Sequence, residues 1–181
     1  SSLSAKKPKT TSQEGLVNMP EKHTLSQFDD ELNHISSLVM EMGGVVEHQL
    51  RQALQALMNM DSQIADGVQE REAEVNEYEV RLDHEITSVI SRRQPAARDL
   101  RLLMAMSRIT SNLERAGDEV NRMVRMVKLI LDNGQPRSLP AGELVAAAEM
   151  ASVLLRRSLD AFARQDAQMA LSIIKEDDAL D

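Results

Sequence analysis

The chain has 181 residues, 42% of them hydrophobic, enough for one domain with its own core or for two small ones. A net charge of −8, an aromatic share of 2% and the lack of tryptophan remove the basic field and the stacking platforms of nucleic-acid binders, so nucleic acid is not an expected partner. With no cysteine there is neither a disulfide framework nor a thiol-based zinc or redox site. Lys6, Lys7 and Lys9 are not followed by the apolar core of a signal peptide, and no run approaches the ~18 apolar residues of a membrane span. The expectation is a cytoplasmic chain. Eleven methionines with abundant Leu, Ala, Glu and Arg favour helix, since these side chains lose little rotamer freedom there, and the fold class expected is all-α.

Residues 1–22 carry Ser, Thr, Lys, Gln and two prolines without apolar periodicity, and are expected to form a disordered tail. Thr24 and Gln27 match a capping box in front of a long helix whose buried stripe is Phe28, Leu32, Ile35, Val39, Met42, Val46, Leu50, Ala53 and Leu57. Gly43 and Gly44 interrupt that helix, implying either a mild kink or a close neighbour. Asp61-Ser62-Gln63 opens a second helix with Ile64, Val68, Val75, Leu82, Ile86 and Val89 inside, and it ends near Arg92-Arg93-Gln94. Pro95 restarts the chain. A third helix over 96–132 buries Leu102, Met106, Ile109, Leu113, Val120 and Val127 and closes at Asn133-Gly134. Pro140 begins a fourth, with Leu144, Ala148, Ala151, Leu155, Leu159 and Phe162 as its stripe.

The segment from Leu159 to Ala170 echoes that from Leu54 to Ala65, so a second unit copies the first. The division expected is a tail over 1–22, a three-helix bundle over 23–134 and a partial second bundle over 135–181. The copy stops at Asp181, inside what should be its second helix. Either the sequence is a piece of a longer one, the reading the repeat register favours, or another chain fills the apolar groove left behind.

The chemistry centres on Glu114 and Asp118. They stand one turn apart on the third helix, far from its apolar stripe, and are expected to point out of the core and repel each other by about 0.2 to 0.5 kcal/mol. A hard cation relieves that repulsion, because carboxylate oxygens are the ligands such ions take. Glu72, Asn76, Glu79 and Asp83 form a polar stripe on the second helix, flanking its core edge. Residues 61–91 hold nine acids against two arginines, net −7, while 92–128 hold nine bases against four acids, net +5. Antiparallel packing would pair those signs. Arg101, Arg108, Arg115 and Arg122 recur every seven residues as one exposed stripe, serving either intramolecular ion pairs or a docking face for an acidic partner or a phosphate-bearing ligand.

A ferritin-like di-iron site needs Glu-x-x-His on two helices, and only Glu31-Leu32-Asn33-His34 fits. No P-loop, dinucleotide glycine fingerprint or nucleophile elbow occurs, so no catalytic residue is nominated.

Three segments in order carry a resemblance: Met42-Gly43-Gly44-Val45-Val46-Glu47, Arg93-Gln94-Pro95-Ala96-Ala97-Arg98-Asp99-Leu100-Arg101 and Leu113-Glu114-Arg115-Ala116-Gly117-Asp118-Glu119. Together they resemble the PhoU family of phosphate-signalling regulators, apart from Ala116 where that pattern usually has isoleucine. The resemblance implies two repeated antiparallel three-helix bundles, each with a Glu/Asp-x-x-x-Asp motif that gathers metal ions, Zn, Fe, Mn or Mg. By position, Glu114, Asp118, Glu79 and Asp83 match the motif, with Glu72 and Asn76 beside them. It also implies a non-enzymatic homodimer that represses the phosphate regulon. Such a protein connects the phosphate transporter ATPase with a sensor histidine kinase and reaches the membrane only through those partners. The rival readings are a membrane-surface helical protein and a metal-dependent phosphate-ester hydrolase.

Overall fold

In the computed structural model the backbone is described for residues 19–133 and 141–180, and side chains for 26–133 and 142–168. Five helices follow in order: α1 (Met19–Asn59), α2 (Ser62–Glu70), α3 (Glu72–Arg93), α4 (Ala97–Asp132) and α5 (Ala141–Leu180). Among the described residues there is no strand. The expected tail falls outside them up to residue 18, but 19–22 are already helical, so the helix runs through the Thr24–Gln27 capping pattern instead of starting there. Pro20 in the first turn suits this start, since the amide it lacks would have no partner in the helix.

The turn after α1 is where the sequence places it. Met60 takes a left-handed conformation, φ 49°, and Asp61 caps α2 by accepting from the amides of Gln63 and Ile64 at 2.8 and 3.3 Å. The expected single second helix is instead two, divided at Arg71 with φ −98° and ψ 7°. Gln49 of α1 marks the break: its Nε2 donates to the Arg71 carbonyl at 2.9 Å, while within the chain that oxygen accepts from the Glu74 amide at 3.2 Å, a tightened i+3 turn. At the far end Gln94, φ 46°, closes α3, its amide donating to the Ile90 carbonyl.

α1 and α3 run antiparallel, fastened by Glu31 to Arg92 and Arg93, Glu41 to Tyr78, and Gln49 to Arg71. α3 and α4 are likewise antiparallel, with Glu72 meeting Arg125 and Val75 meeting Gly117, and Asp66 of α2 reaches Lys128 of α4. Ile35, Met42, Leu82, Leu103, Leu113 and Met123 are the largest fully buried apolar side chains. Leu103, not the expected Leu102, holds the core position at the start of α4.

α5 packs on α4 and α1, and Leu144, Ala147, Ala151, Leu154 and Leu155 join the same core. Ser158 is buried where the expected stripe has Leu159, which is 42% exposed. The break that the repeat implies near Asp166 is absent: α5 continues helical to Leu180. In the first unit that break is accompanied by burial of Ala65 and Val68, whose counterparts in the repeat lie outside the residues with described side chains. The expected cap at Gly134 and start at Pro140 lie outside the described residues.

Gly43 faces α5 and α4. A Cβ there would lie 3.6 Å from Leu159 and 4.0 Å from Leu113, ordinary contacts, and α1 passes through both glycines without interruption. Gly117 is tighter: a Cβ would come within 3.2 Å of Val75 Cγ1, so the missing side chain sets how closely α3 approaches α4.

Candidate metal centre and basic face

The Val75–Gly117 contact determines what happens one turn further along each helix. Glu79 follows Val75 on α3, while Glu114 and Asp118 flank Gly117 on α4, so the close approach brings carboxylates of two helices to one seam. Asp118 is exposed as expected, but Glu114 is half-buried. Burial pushes its pKa up to about 7, reinforced by a hydrogen bond with Asp118 and by the charges of Asp118 and Glu79, against a smaller opposing pull from Arg115. The folded seam thus holds more negative charge than it can solvate, and a proton or a cation relieves it.

The remaining nominated ligands divide. Asp83 and Asn76 are exposed, and the Glu72 carboxylate is engaged with Arg125 at 3.8 Å. Among the described residues no three Asp, Glu or His side chains converge as a closed ligand set. The donor chemistry suits a hard cation, with Glu114, Asp118 and Glu79 the groups already sharing one field.

The arginine stripe is exposed along its whole length. The charge pairing between α2–α3 and α4 is carried by other residues, Arg125 with Glu72 and Lys128 with Asp66 and Gln69. Arg122 lies 3.8 Å from both Glu119 and Glu143. Arg101, Arg108 and Arg115 make no ion pair among the described residues.

The PhoU domain family model matches residues 39–127. The phosphate-specific transport system accessory protein PhoU homolog of Burkholderia sp is 39% identical over 160 residues, covering 88% of this chain and 68% of its own length. The Escherichia coli (strain K12) accessory protein PhoU is 38% identical over 161 residues, 88% of this chain and 66% of its own. The crystal structure of PhoU from Pseudomonas aeruginosa superimposes with a TM-score of 0.64 at 36% identity, covering 84% of this chain and 72% of that one. The chain belongs to the PhoU family. It spans about two thirds of the length of the curated relatives it matches. The PhoU-matched window holds Glu79, Glu114, Asp118 and all four stripe arginines, and leaves α5 outside.

Sequence reasoning missed two features of this PhoU chain. One is Gly117, whose position inside the motif could have been read as a close-approach site. The other is Gln49, 1% exposed, which lines a cleft of about 180 Å³ with His48, Gln52, Ile64, Gly67, Val68 and Arg71, and whose Oε1 has no hydrogen-bond partner among the described residues. An isolated glutamine in a helical stripe gives no local signal of that kind.

Proposed function

We propose that this chain is part of a non-enzymatic accessory protein of phosphate transport that restrains uptake and represses phosphate-regulon signalling. The observation that carries the reading is family membership, since the relatives are named as accessory proteins of the phosphate-specific transport system. In this reading the protein works in the cytoplasm as a homodimer, joins the transporter ATPase to a sensor histidine kinase, and approaches the membrane through them. The exposure of Arg101, Arg108, Arg115 and Arg122 supports a docking role for them, the first three having no ion-pair partner among the described residues and Arg122 lying 3.8 Å from Glu119 and Glu143.

A divalent or trivalent cation, of which Zn, Fe, Mn and Mg are candidates, belongs at the α3–α4 seam. Glu114, Asp118 and Glu79 would hold it, with Asp83, Asn76 and Glu72 around them. Its role is to cancel charge and set the partner surface. Two measurements test the function. The protein should co-purify with the ATPase and the kinase, and its loss should derepress phosphate uptake; unchanged uptake would refute the regulatory reading. Calorimetric titration with Mn²⁺ or Zn²⁺ should give heat with the wild type and none with the Glu114→Gln, Asp118→Asn pair, and equal affinity would remove the site.

A further inference from the structure

We propose that the outer face of α4 docks lengthwise against a helix of another protein that carries acidic residues at seven-residue intervals. At about 100° per residue, Arg101, Met104, Arg108, Ser111, Arg115, Arg122 and Leu129 share an arc of roughly 80°, which also takes in Glu119, 3.8 Å from Arg122, and the buried Met126. The arginines repeat about every 10.5 Å along the axis. Met104 and Leu129, on the same face, are 45% and 60% exposed, so apolar contacts alternate with the cations.

Apart from Arg122, which lies 3.8 Å from Glu119 and Glu143, the arginines on this face are not used in ion pairs among the described residues. Arg92 and Arg93 both bind Glu31, Arg125 meets Glu72 and Lys128 meets Asp66, which leaves Arg101, Arg108 and Arg115 without an ion pair among the described residues. Spacing then selects the partner's form. A stripe repeating every seven residues drifts about 20° per heptad around a straight helix, and a neighbour crossing at about +20° follows that drift. Acids spaced by seven on such a neighbour meet each arginine in turn, because both helices rise equally per residue.

A membrane fits less well. A fluid layer of lipid headgroups presents no fixed seven-residue spacing for the arginines to match, whereas a helix does. A second copy also fits less well. The exposed face of its α2–α3 segment offers Glu70 and Glu77 seven apart, but the next position in that register is His84.

The proposal deepens the accessory-protein reading by naming what its docking surface recognises. The test uses the full chain and a stapled helical peptide with glutamates at seven-residue intervals, compared by fluorescence anisotropy with an isomer that has the same glutamates at five-residue intervals. A preference for the first peptide of roughly tenfold is expected, lost in the Arg101→Gln, Arg108→Gln, Arg115→Gln variant while its helical circular dichroism stays unchanged. Equal binding of the two peptides, or no binding, overturns the proposal. Binding to phosphatidylserine vesicles without discrimination between peptides assigns the face to lipid, and salt-sensitive self-association lost in the variant assigns it to a second copy; either overturns it. Peptide discrimination without co-purification of the ATPase or the kinase would instead refute the partners named above and leave the surface chemistry standing.

Discussion

Replacing Glu114 by glutamine removes a charge that the folded protein holds at a disadvantage. The carboxyl titrates near 4.5 when free and is pushed up to about 7 in the fold, first by burial, then by its hydrogen bond with Asp118 and the charges of Asp118 and Glu79. Between those values the folded state retains a proton that the unfolded chain has released, so stability falls as pH rises from 4.5 towards 7 and the full penalty stands above 7. The gap corresponds to about 3 kcal/mol at most. Since Glu114 is only half-buried, solvent screening reduces this to about 1–2 kcal/mol. Glutamine keeps a donor for Asp118 and cannot ionise. In metal-free buffer with a chelator, Glu114→Gln should therefore raise Tm by roughly 3–8 °C at pH 8 and leave it unchanged near pH 4.5. Thermal melts of both proteins at the two pH values decide the matter. An equal shift at both, or a loss at pH 8, would refute the account of a strained carboxylate seam.

The two other predictions concern packing and a charged fastening. Among the described residues, no atom beyond the neighbouring residues and backbone of its own helix lies within 4 Å of the position a Cβ would take at Gly67, so Gly67→Ala should stabilise the chain by about 1 kcal/mol through helix propensity. At Gly117 the same gain is opposed by the 3.2 Å approach to Val75, a branched side chain only 3% exposed, and Gly117→Ala should lose about 1 kcal/mol net. Urea midpoints moving in the same direction for both would contradict the spacing argument. Glu31 has its pKa lowered by the hydrogen bond from Arg93, outweighing burial, and by Arg92. Its stabilisation is present above 4.5 and is lost as pH falls through the folded value. Glu31→Gln should cost about 0.5–1 kcal/mol at pH 7 and progressively less as the pH is lowered below 4.5, read from urea melts across that range.

Periodicity alone located the buried faces of α1, α3 and α4, because a 3.6-residue repeat over many turns has no other consistent solution. Asp61 and Gln94 sit at turns for local reasons and were legible too. The division at Arg71 was not, since the group that marks it, Gln49, is 22 positions away. The continuous α5 shows the converse: a helix-start pattern at Asp166 is only a local preference, and the helix runs through it. For the site, the spacing of Glu114 and Asp118 was enough to pair them. The angle on α4 says nothing about where α3 lies, so the half-burial of Glu114 needed the fold. Likewise the opposite charges of the two segments foretold ion pairs, but which arginines would be used depended on the register between helices.

α2 is nine residues long, too short to persist as a helix in water without help. It is held by burial of Ala65 and Val68, by Lys128 on Asp66 and Gln69, and by Gln49 at its end. Its order is therefore borrowed from its neighbours. Such a segment forms a small cooperative unit that can detach while the long helices stay folded, so its amides should exchange with solvent through a local opening rather than through global unfolding. Detachment would free Lys128 from both its partners and open the Gln49 cleft to water, giving the native ensemble a second member whose surface differs at that end of the bundle alone.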